Sequence, residues 1–368
     1  MPHSVPEEAA GQTSLLRILD EDGSLLDGAA LEIPDELLLR IYHAMVLVRA
    51  VDTRMLLLQR QGRIGFWGPT TGQEAAVIGS VAALEDRDWI VPALREYGCA
   101  VYRGLSLEEI FGQVLGNSLD RTHGRQMPCH FSFKEGNYYS MSSVIGTQTL
   151  HAVGVAMAAK LKGDDVVVAG YMGDGATSST DFHAAMNFAA VRRAPCVLIC
   201  QNNQWAISTN IAGQMATDTV VIKARAYGMR SVRVDGNDAL AVFAATREAA
   251  ARARAGAGPT FLELLTYRVL GHSSSDDPTR YRDSGEVEAW VKRDPVARLR
   301  RFLEGRALWD AGQEVDLSEE IAARLSAALL AAEAAPGVAP ESLILDVYSE
   351  VPAHLREQWA GATKNHQP

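Results

Sequence analysis

Two short polar stretches stand where chemistry is possible. Gly173-Asp174-Gly175 follows the apolar run Asp165 to Met172, and Asn202-Asn203 follows the next apolar run, Cys196 to Cys200, about thirty residues later. Apolar runs without polar alternation read as strands buried on both faces, as in a parallel sheet covered by helices. Ligands of such sheets bind beyond the carboxyl ends of the strands, where Asp174 and Asn203 fall. A carboxylate and an amide oxygen brought together there are hard ligands of the kind magnesium takes, with diphosphate oxygens and water completing an octahedron. Gly173 and Gly175 would let a diphosphate approach the backbone, and a helix beginning near Ser178 would aim its N-terminal amides at the anion. Alone, Gly-Asp-Gly is also an ordinary strand-to-helix turn. The two stretches together carry the reading.

The elements that must hold these residues follow from hydrophobic spacing. Residues 1–33 are mixed and punctuated by Gly and Asp, with one apolar patch at Leu15, Leu16, Ile18 and Leu19. They read as an extended arm of the kind that lies on a partner. A helix is predicted from Pro34-Asp35-Glu36 through Leu37, Ile41, Met45 and Val48, with its acids suited to a helix start. A second runs from Gly72-Gln73-Glu74 to Leu84, and a small-residue helix spans Gly146 to Lys162. Thr177 to Val191 is predicted helical, and Ser231 to Val234 and Thr260 to Leu265 are further strands separated by the Ala-rich helix Ala239 to Ala255. The expectation is an α/β fold over residues 34–293, followed by a helical C-terminal region and tail over 294–368.

Composition narrows the function classes. The chain has 368 residues, 47% of them hydrophobic and 22% charged, and its net charge of −10 argues against a nucleic-acid partner. Cys99, Cys129, Cys196 and Cys200 match neither a CxxC redox pair nor a zinc quartet, which fits a reducing cytoplasm. No apolar run reaches the roughly 18 to 20 residues a bilayer span needs. The N-terminus, with Glu7 and Glu8 close behind Met1, lacks a basic leader pattern, so a cytoplasmic location is the expectation.

The pairing of Gly-Asp-Gly with a later Asn-Asn resembles the thiamine diphosphate motif. The resemblance widens over residues 35–350 through Gly72-Gln73-Glu74-Ala75, Gly124-Arg125-Gln126-Met127-Pro128, Gly173-Asp174-Gly175-Ala176-Thr177, Asn202-Asn203-Gln204-Trp205-Ala206-Ile207-Ser208, Val234-Asp235-Gly236-Asn237-Asp238 and His272-Ser273-Ser274-Ser275-Asp276-Asp277. On these stretches the chain resembles the alpha subunits of the decarboxylating dehydrogenase component of 2-oxo acid dehydrogenase complexes. The likeness is closer to the branched-chain (2-oxoisovalerate) type than to the pyruvate type.

That resemblance implies a thiamin diphosphate-binding fold, with Asp174, Asn203 and the backbone carbonyl of Trp205 as magnesium ligands. It sets Gly173, Gly175 and Ala176 against the diphosphate. Arg95 aligns with the arginine of a phosphate-contacting Tyr-Arg pair, whose fork of donors suits phosphate. Here Leu94 replaces the tyrosine, and Gln201 stands where animal branched-chain enzymes place another phosphate-binding arginine. His272 matches a histidine that reaches the cofactor's phosphate and active centre, where an imidazole donates a hydrogen bond or shuttles a proton. Ser273 matches a phosphorylation site of the animal enzymes, and the expectation here is no such regulation. Tyr281 and Arg282 belong to the same loop. Ile145 is placed beneath the bent cofactor and Ser143 beside its aminopyrimidine. Ser142, Val144, Thr147 and Gln148 match a potassium site of animal relatives. Phe66 and Trp67 align with aromatic residues bordering the substrate pocket, although for Trp67 packing at a helix end is an equal alternative.

The resemblance also implies what this chain lacks. The glutamate that activates the cofactor belongs to a beta subunit, and Glu74 is not its counterpart. The implied assembly is a heterotetramer of two alpha and two beta chains, which passes the acyl group of a small 2-oxo acid to the lipoyl arm of a dihydrolipoyl acyltransferase. Two other readings stay open: a pyruvate or acetoin enzyme with the same cofactor, and a non-catalytic cofactor-binding scaffold subunit, to which Leu94 and Gln201 lend slight support.

Overall fold

The computed structural model describes residues 14–28 and 32–364. Its strands are β1 (Leu15–Leu16), β2 (Trp89–Val91), β3 (Val168–Gly173), β4 (Cys196–Asn202), β5 (Trp205–Ala206), β6 (Thr209–Asn210), β7 (Arg230–Asp235) and β8 (Thr260–Leu265). Six of them form one parallel sheet in the order β1-β7-β8-β4-β3-β2, and β5 and β6 form a small antiparallel hairpin. The helices are α1 (Asp35–Arg60), α2 (Glu74–Ala82), α3 (Tyr97–Tyr102), α4 (Leu107–Leu115), α5 (Thr147–Lys162), α6 (Thr180–Arg192), α7 (Val221–Arg225), α8 (Ala239–Arg254), α9 (Ser284–Val291), α10 (Pro295–Gly305), α11 (Ala311–Ala334), α12 (Ser342–Leu345) and α13 (Ala353–Lys364).

The two apolar runs become the centre of the sheet. All seven residues of β4 are buried, and β3 is buried except at Gly173, as a strand covered on both faces must be. One face packs on α1, α2, α8, α10 and α11 through Met45, Val77, Leu240, Leu299 and Leu325. The other packs on α5, α6 and α7 through Val153, Met186 and Val221. Helices α10 and α11 thus share the main core. Among the described residues, no helix is long and apolar enough to cross a membrane.

Three expectations are corrected. The arm does not lie apart: Leu15 and Leu16 pair in parallel with Arg233 and Val234, and Leu19 is fully buried. Asp238 fixes it by accepting from the amides of Ile18 and Leu19, both at 2.7 Å. Residues 1–13 and 29–31 of that arm lie outside the described residues. The run from Asp165 starts as a strand only at Val168, because Asp165 faces solvent and pairs with Arg87 at 2.6 Å. Finally, the predicted helix Thr177–Val191 is interrupted. Asp174–Ser178 is a 3-10 turn and α6 starts at Thr180. The hydroxyls of the sequence cause the break: Thr177 donates to the Asp174 carbonyl at 2.8 Å, and Ser179 donates to the Ala176 carbonyl while capping Phe182 N–H. The amides nearest Asp174 are therefore those of the 3-10 turn.

Candidate functional site

Four loops leave the carboxyl ends of the adjacent strands β2, β3, β4 and β8, and each carries one expected site residue: Arg95, Asp174, Asn203 and His272. Asp174 is 1% exposed, and among the described residues it forms no ion pair. Its Oδ2 accepts from Gln214 Nε2 at 2.7 Å, and burial raises its pKa above the ordinary carboxylate range. A buried carboxylate with so little compensation is costly unless a cation joins it. The turn that presents it is held from behind by Lys223 on α7, whose Nζ donates to the Thr177 carbonyl at 2.9 Å and hydroxyl at 2.8 Å.

Asn203 is buried beside this turn, with Nδ2 donating to Gln73 Oε1 at 3.0 Å and Oδ1 accepting from Trp205 N–H at 3.2 Å. The carbonyl of Trp205 meets Arg268 Nη1 at 3.4 Å, and the buried guanidinium of Arg268 reaches the Ile207 carbonyl and the Tyr281 hydroxyl at 2.7 and 2.8 Å. The indole of Trp205 is buried, with Nε1 3.3 Å from Glu286. Gly175 is required by close packing, since a Cβ there would meet Ala206 Cβ at 2.7 Å. Gly173 differs: a Cβ there would enter open space.

Arg95 and His272 meet opposite this pair. Arg95 is buried; it donates to the Pro69 carbonyl, to the His272 carbonyl at 2.9 Å and to His272 Nδ1 at 3.3 Å. Burial and then Arg268 lower its pKa to about 10, so it remains a cation at neutral pH. For His272, burial first and Arg95 second lower the pKa to about 4. Arginine only donates, so Nδ1 accepts and the proton of the neutral ring sits on Nε2. At neutral pH His272 is thus a hydrogen-bond donor through Nε2. Its loop is closed by Asp276, which accepts from His272 N–H at 2.6 Å and from the Tyr281 hydroxyl. Arg282 donates to the carbonyls of Arg268 and Val269.

Behind these loops sits Asp52 of α1, a fully buried carboxylate not singled out from sequence. It accepts from Trp67 Nε1, Thr70 N–H, Thr71 N–H and the Thr71 hydroxyl, each at 2.8 Å, and from the Tyr97 hydroxyl at 2.9 Å. This shapes the 67–71 loop, which takes Arg95 at Pro69 and binds the His272 loop through Ser274 N–H to the Trp67 carbonyl at 2.8 Å. Trp67 is a buried ring, edge-on to Tyr97 at 4.9 Å, as its packing alternative expects. Phe66 is partly buried against the same core.

The 142–148 segment stands at the rim. Ile145 is 57% exposed and Val144 is exposed. Ser143 hydrogen-bonds His130 Nε2, and Ser142 accepts from Val144 N–H at 3.2 Å. Thr147 donates to Asp181 at 3.2 Å, and Gln148 is buried with Oε1 lacking a hydrogen-bond partner among the described residues. Gln201 points inward, donating to Glu96, whose carboxyl burial raises to about 7. Glu74 is consumed by Arg49 at 2.8 Å and Gly72 N–H at 2.9 Å. The four cysteines are free and buried.

These residues fit a divalent cation with an anion. Asp174 is a carboxylate short of positive charge, Asn203 offers an amide oxygen, open space lies at Gly173, and Arg95 is a cation without a carboxylate partner among the described residues. The sequence missed Asp52, Gln214, Lys223 and Arg268, because no local spacing marks a side chain that acts through another segment.

Comparison with known proteins agrees with the geometry. The chain is 43% identical over 344 residues to 2-oxoisovalerate dehydrogenase subunit alpha 2, mitochondrial, of Arabidopsis thaliana, covering 93% of this chain and 73% of that relative. It is 39% identical over 355 residues to the human 2-oxoisovalerate dehydrogenase subunit alpha, mitochondrial, covering 96% and 80%. It is also 40% identical over 362 residues to a pyruvate dehydrogenase E1 component subunit alpha of Staphylococcus aureus, covering 96% and 94%. The family model described as dehydrogenase E1 component matches residues 42–341. The chain belongs to the dehydrogenase E1 component family.

Proposed function

We propose that this chain is the alpha subunit of a branched-chain 2-oxo acid dehydrogenase, acting with thiamine diphosphate and magnesium on acids such as 3-methyl-2-oxobutanoate. The observation that carries the reading is the buried Asp174 carboxylate, without an ion pair among the described residues, beside Asn203 at the carboxyl edge of β3 and β4. Asp174, Asn203 and the Trp205 carbonyl would hold magnesium. Arg95, Gly173, Gly175 and Ala176 would take the diphosphate, and Ser143 and Ile145 would border the rest of the cofactor. When bound, thiamine diphosphate supplies an electron sink for decarboxylation of the 2-oxo acid. His272 contributes a neutral imidazole with its proton on Nε2, and Arg95 fixes that tautomer. Gln148 Oε1, without a hydrogen-bond partner among the described residues, supports a potassium site with Ser142, Val144 and Thr147.

The exposed apolar rim at Val144 and Ile145 supports closure of the site by a beta subunit, which would supply the activating glutamate because Glu74 is already paired. The acyl group would then pass to a dihydrolipoyl acyltransferase, in the cytoplasm. A second reading, pyruvate as substrate, is favoured by the S. aureus relative, of which 94% is covered. Co-purification with the beta chain and comparison of lipoyl-dependent turnover on 3-methyl-2-oxobutanoate and pyruvate separates the two. The branched-chain acid is expected to give the higher kcat/KM, and a strong pyruvate preference would replace the first reading with the second.

A further inference from the structure

The Gly72-Gln73-Glu74-Ala75 motif has a use beyond starting a helix. Gln73 stands at the N-cap of α2, where a short side chain ordinarily accepts from its own helix, yet it makes no such cap. Its side chain turns instead to another segment and accepts from Asn203 Nδ2 at 3.0 Å. Both residues are buried, and Gln73 Nε2 has no hydrogen-bond partner within the described chain. The fold has therefore oriented this amide without satisfying it.

The orientation is enforced from both ends. Trp205 N–H donates to Asn203 Oδ1, so a reversed Asn203 amide would set donor against donor there. A reversed Gln73 would set its Nε2 against Asn203 Nδ2 in the same way. The backbone that carries Gln73 is set in place because Gly72 is wedged against the chain beyond β8. A Cβ on Gly72 would meet the Tyr267 carbonyl and Val269 Cγ2, each at 2.6 Å, and the Gly72 carbonyl accepts from the Thr266 hydroxyl at 3.0 Å. That same segment is tied to Asn203 through Arg268 N–H at 3.3 Å.

We infer that Gln73 is a positioning residue for the metal site: by accepting from Asn203 Nδ2 it holds Asn203 Oδ1 ready as a ligand. The inference rests on the metal reading of Asp174 and Asn203. Loss of a partner that orients a ligand typically costs ten- to hundredfold in metal affinity, by order of magnitude.

The test is Mn2+ binding in the presence of thiamine diphosphate, read by electron paramagnetic resonance on the full chain co-purified with its beta partner. Gln73→Met keeps the length and removes the acceptor; Gln73→Glu restores an acceptor. Gln73→Met is expected to weaken Mn2+ binding by about ten- to hundredfold at unchanged thermal unfolding, with Gln73→Glu remaining within about threefold of the parent. Should the methionine variant fail to fold, Gln73→Asn, too short to reach, carries the same expectation. Parent-like Mn2+ affinity in a folded Met or Asn variant, alongside a large loss in Asn203→Ala, overturns the role of Gln73 alone. Unchanged Mn2+ binding in both Asn203→Ala and Asp174→Ala overturns the metal reading and the inference with it.

Discussion

Two buried charge clusters lie along the carboxyl edge of the sheet and are built for different purposes. Near β7, Arg298 donates to Asp235 at 2.9 Å, to the Asp20 carbonyl at 2.8 Å and to the Leu19 carbonyl. Asp238 there accepts four backbone amides, from Ile18, Leu19, Leu240 and Ala241. Every charge is met inside the chain, and the product is a docked N-terminal segment. At the carboxyl ends of β2, β3, β4 and β8, Arg95 is met by carbonyls and a neutral imidazole, while Asp174 is met by amides and by no ion pair among the described residues. The cation and the anion proposed for this site would each meet a charge that lacks an opposite charge among the described residues. Burial alone does not distinguish the two clusters; the difference is how far each charge is met by an opposite charge among the described residues.

The contrast can be broken at either end. Arg298→Met should cause the larger loss of stability, about 3 to 5 kcal/mol, because it removes the buried cation that Asp235 and Asp238 share and the donors to the Leu19 and Asp20 carbonyls. Chemical denaturation measures it, and cofactor binding per folded molecule should not change. Asp174→Ala should do the reverse. Turnover with the beta chain should fall by more than about a hundredfold, the upper end for losing a mere partner of a ligand. Its unfolding free energy should stay within about 1 kcal/mol of the parent, since a poorly compensated buried carboxylate is removed. Equal stability losses in the two variants would erase the distinction.

Arg95→Lys sharpens the comparison, because it keeps the charge but loses the fork that spans the Pro69 and His272 carbonyls. Thiamine diphosphate affinity, followed by quenching of intrinsic fluorescence, should fall by about tenfold, as for the loss of one charged hydrogen bond. The smallest effect is on His272. With its pKa lowered from 6.5 to about 4, the unfolded chain binds a proton that the folded chain refuses between those values. The stability His272 contributes is therefore full above about pH 6.5 and lost as the pH falls toward 4. Nuclear magnetic resonance of labelled histidine should find the midpoint near 4, and Arg95→Met should raise it, since Arg95 is the second cause after burial. An ordinary midpoint in the parent protein would mean that the ring is neither buried nor faced by the guanidinium.

The sequence by itself determined the parallel α/β sheet and the residues at its carboxyl edge. Uninterrupted apolar runs announce β3 and β4, the polar residues after them announce the edge, and local spacing is enough for both. It also marked Gly72-Gln73-Glu74-Ala75 without saying which side chain mattered. Tertiary structure decided the rest. It brought Leu15 and Leu16 onto β7 and sank Trp67 into the core on Asp52. It joined Arg95 to His272 across 177 residues of chain. The physical reason is the same in each case: hydrophobic period is a property of neighbours in sequence, whereas a hydrogen bond to a buried polar group is met by whichever segment the packed fold brings within about 3 Å.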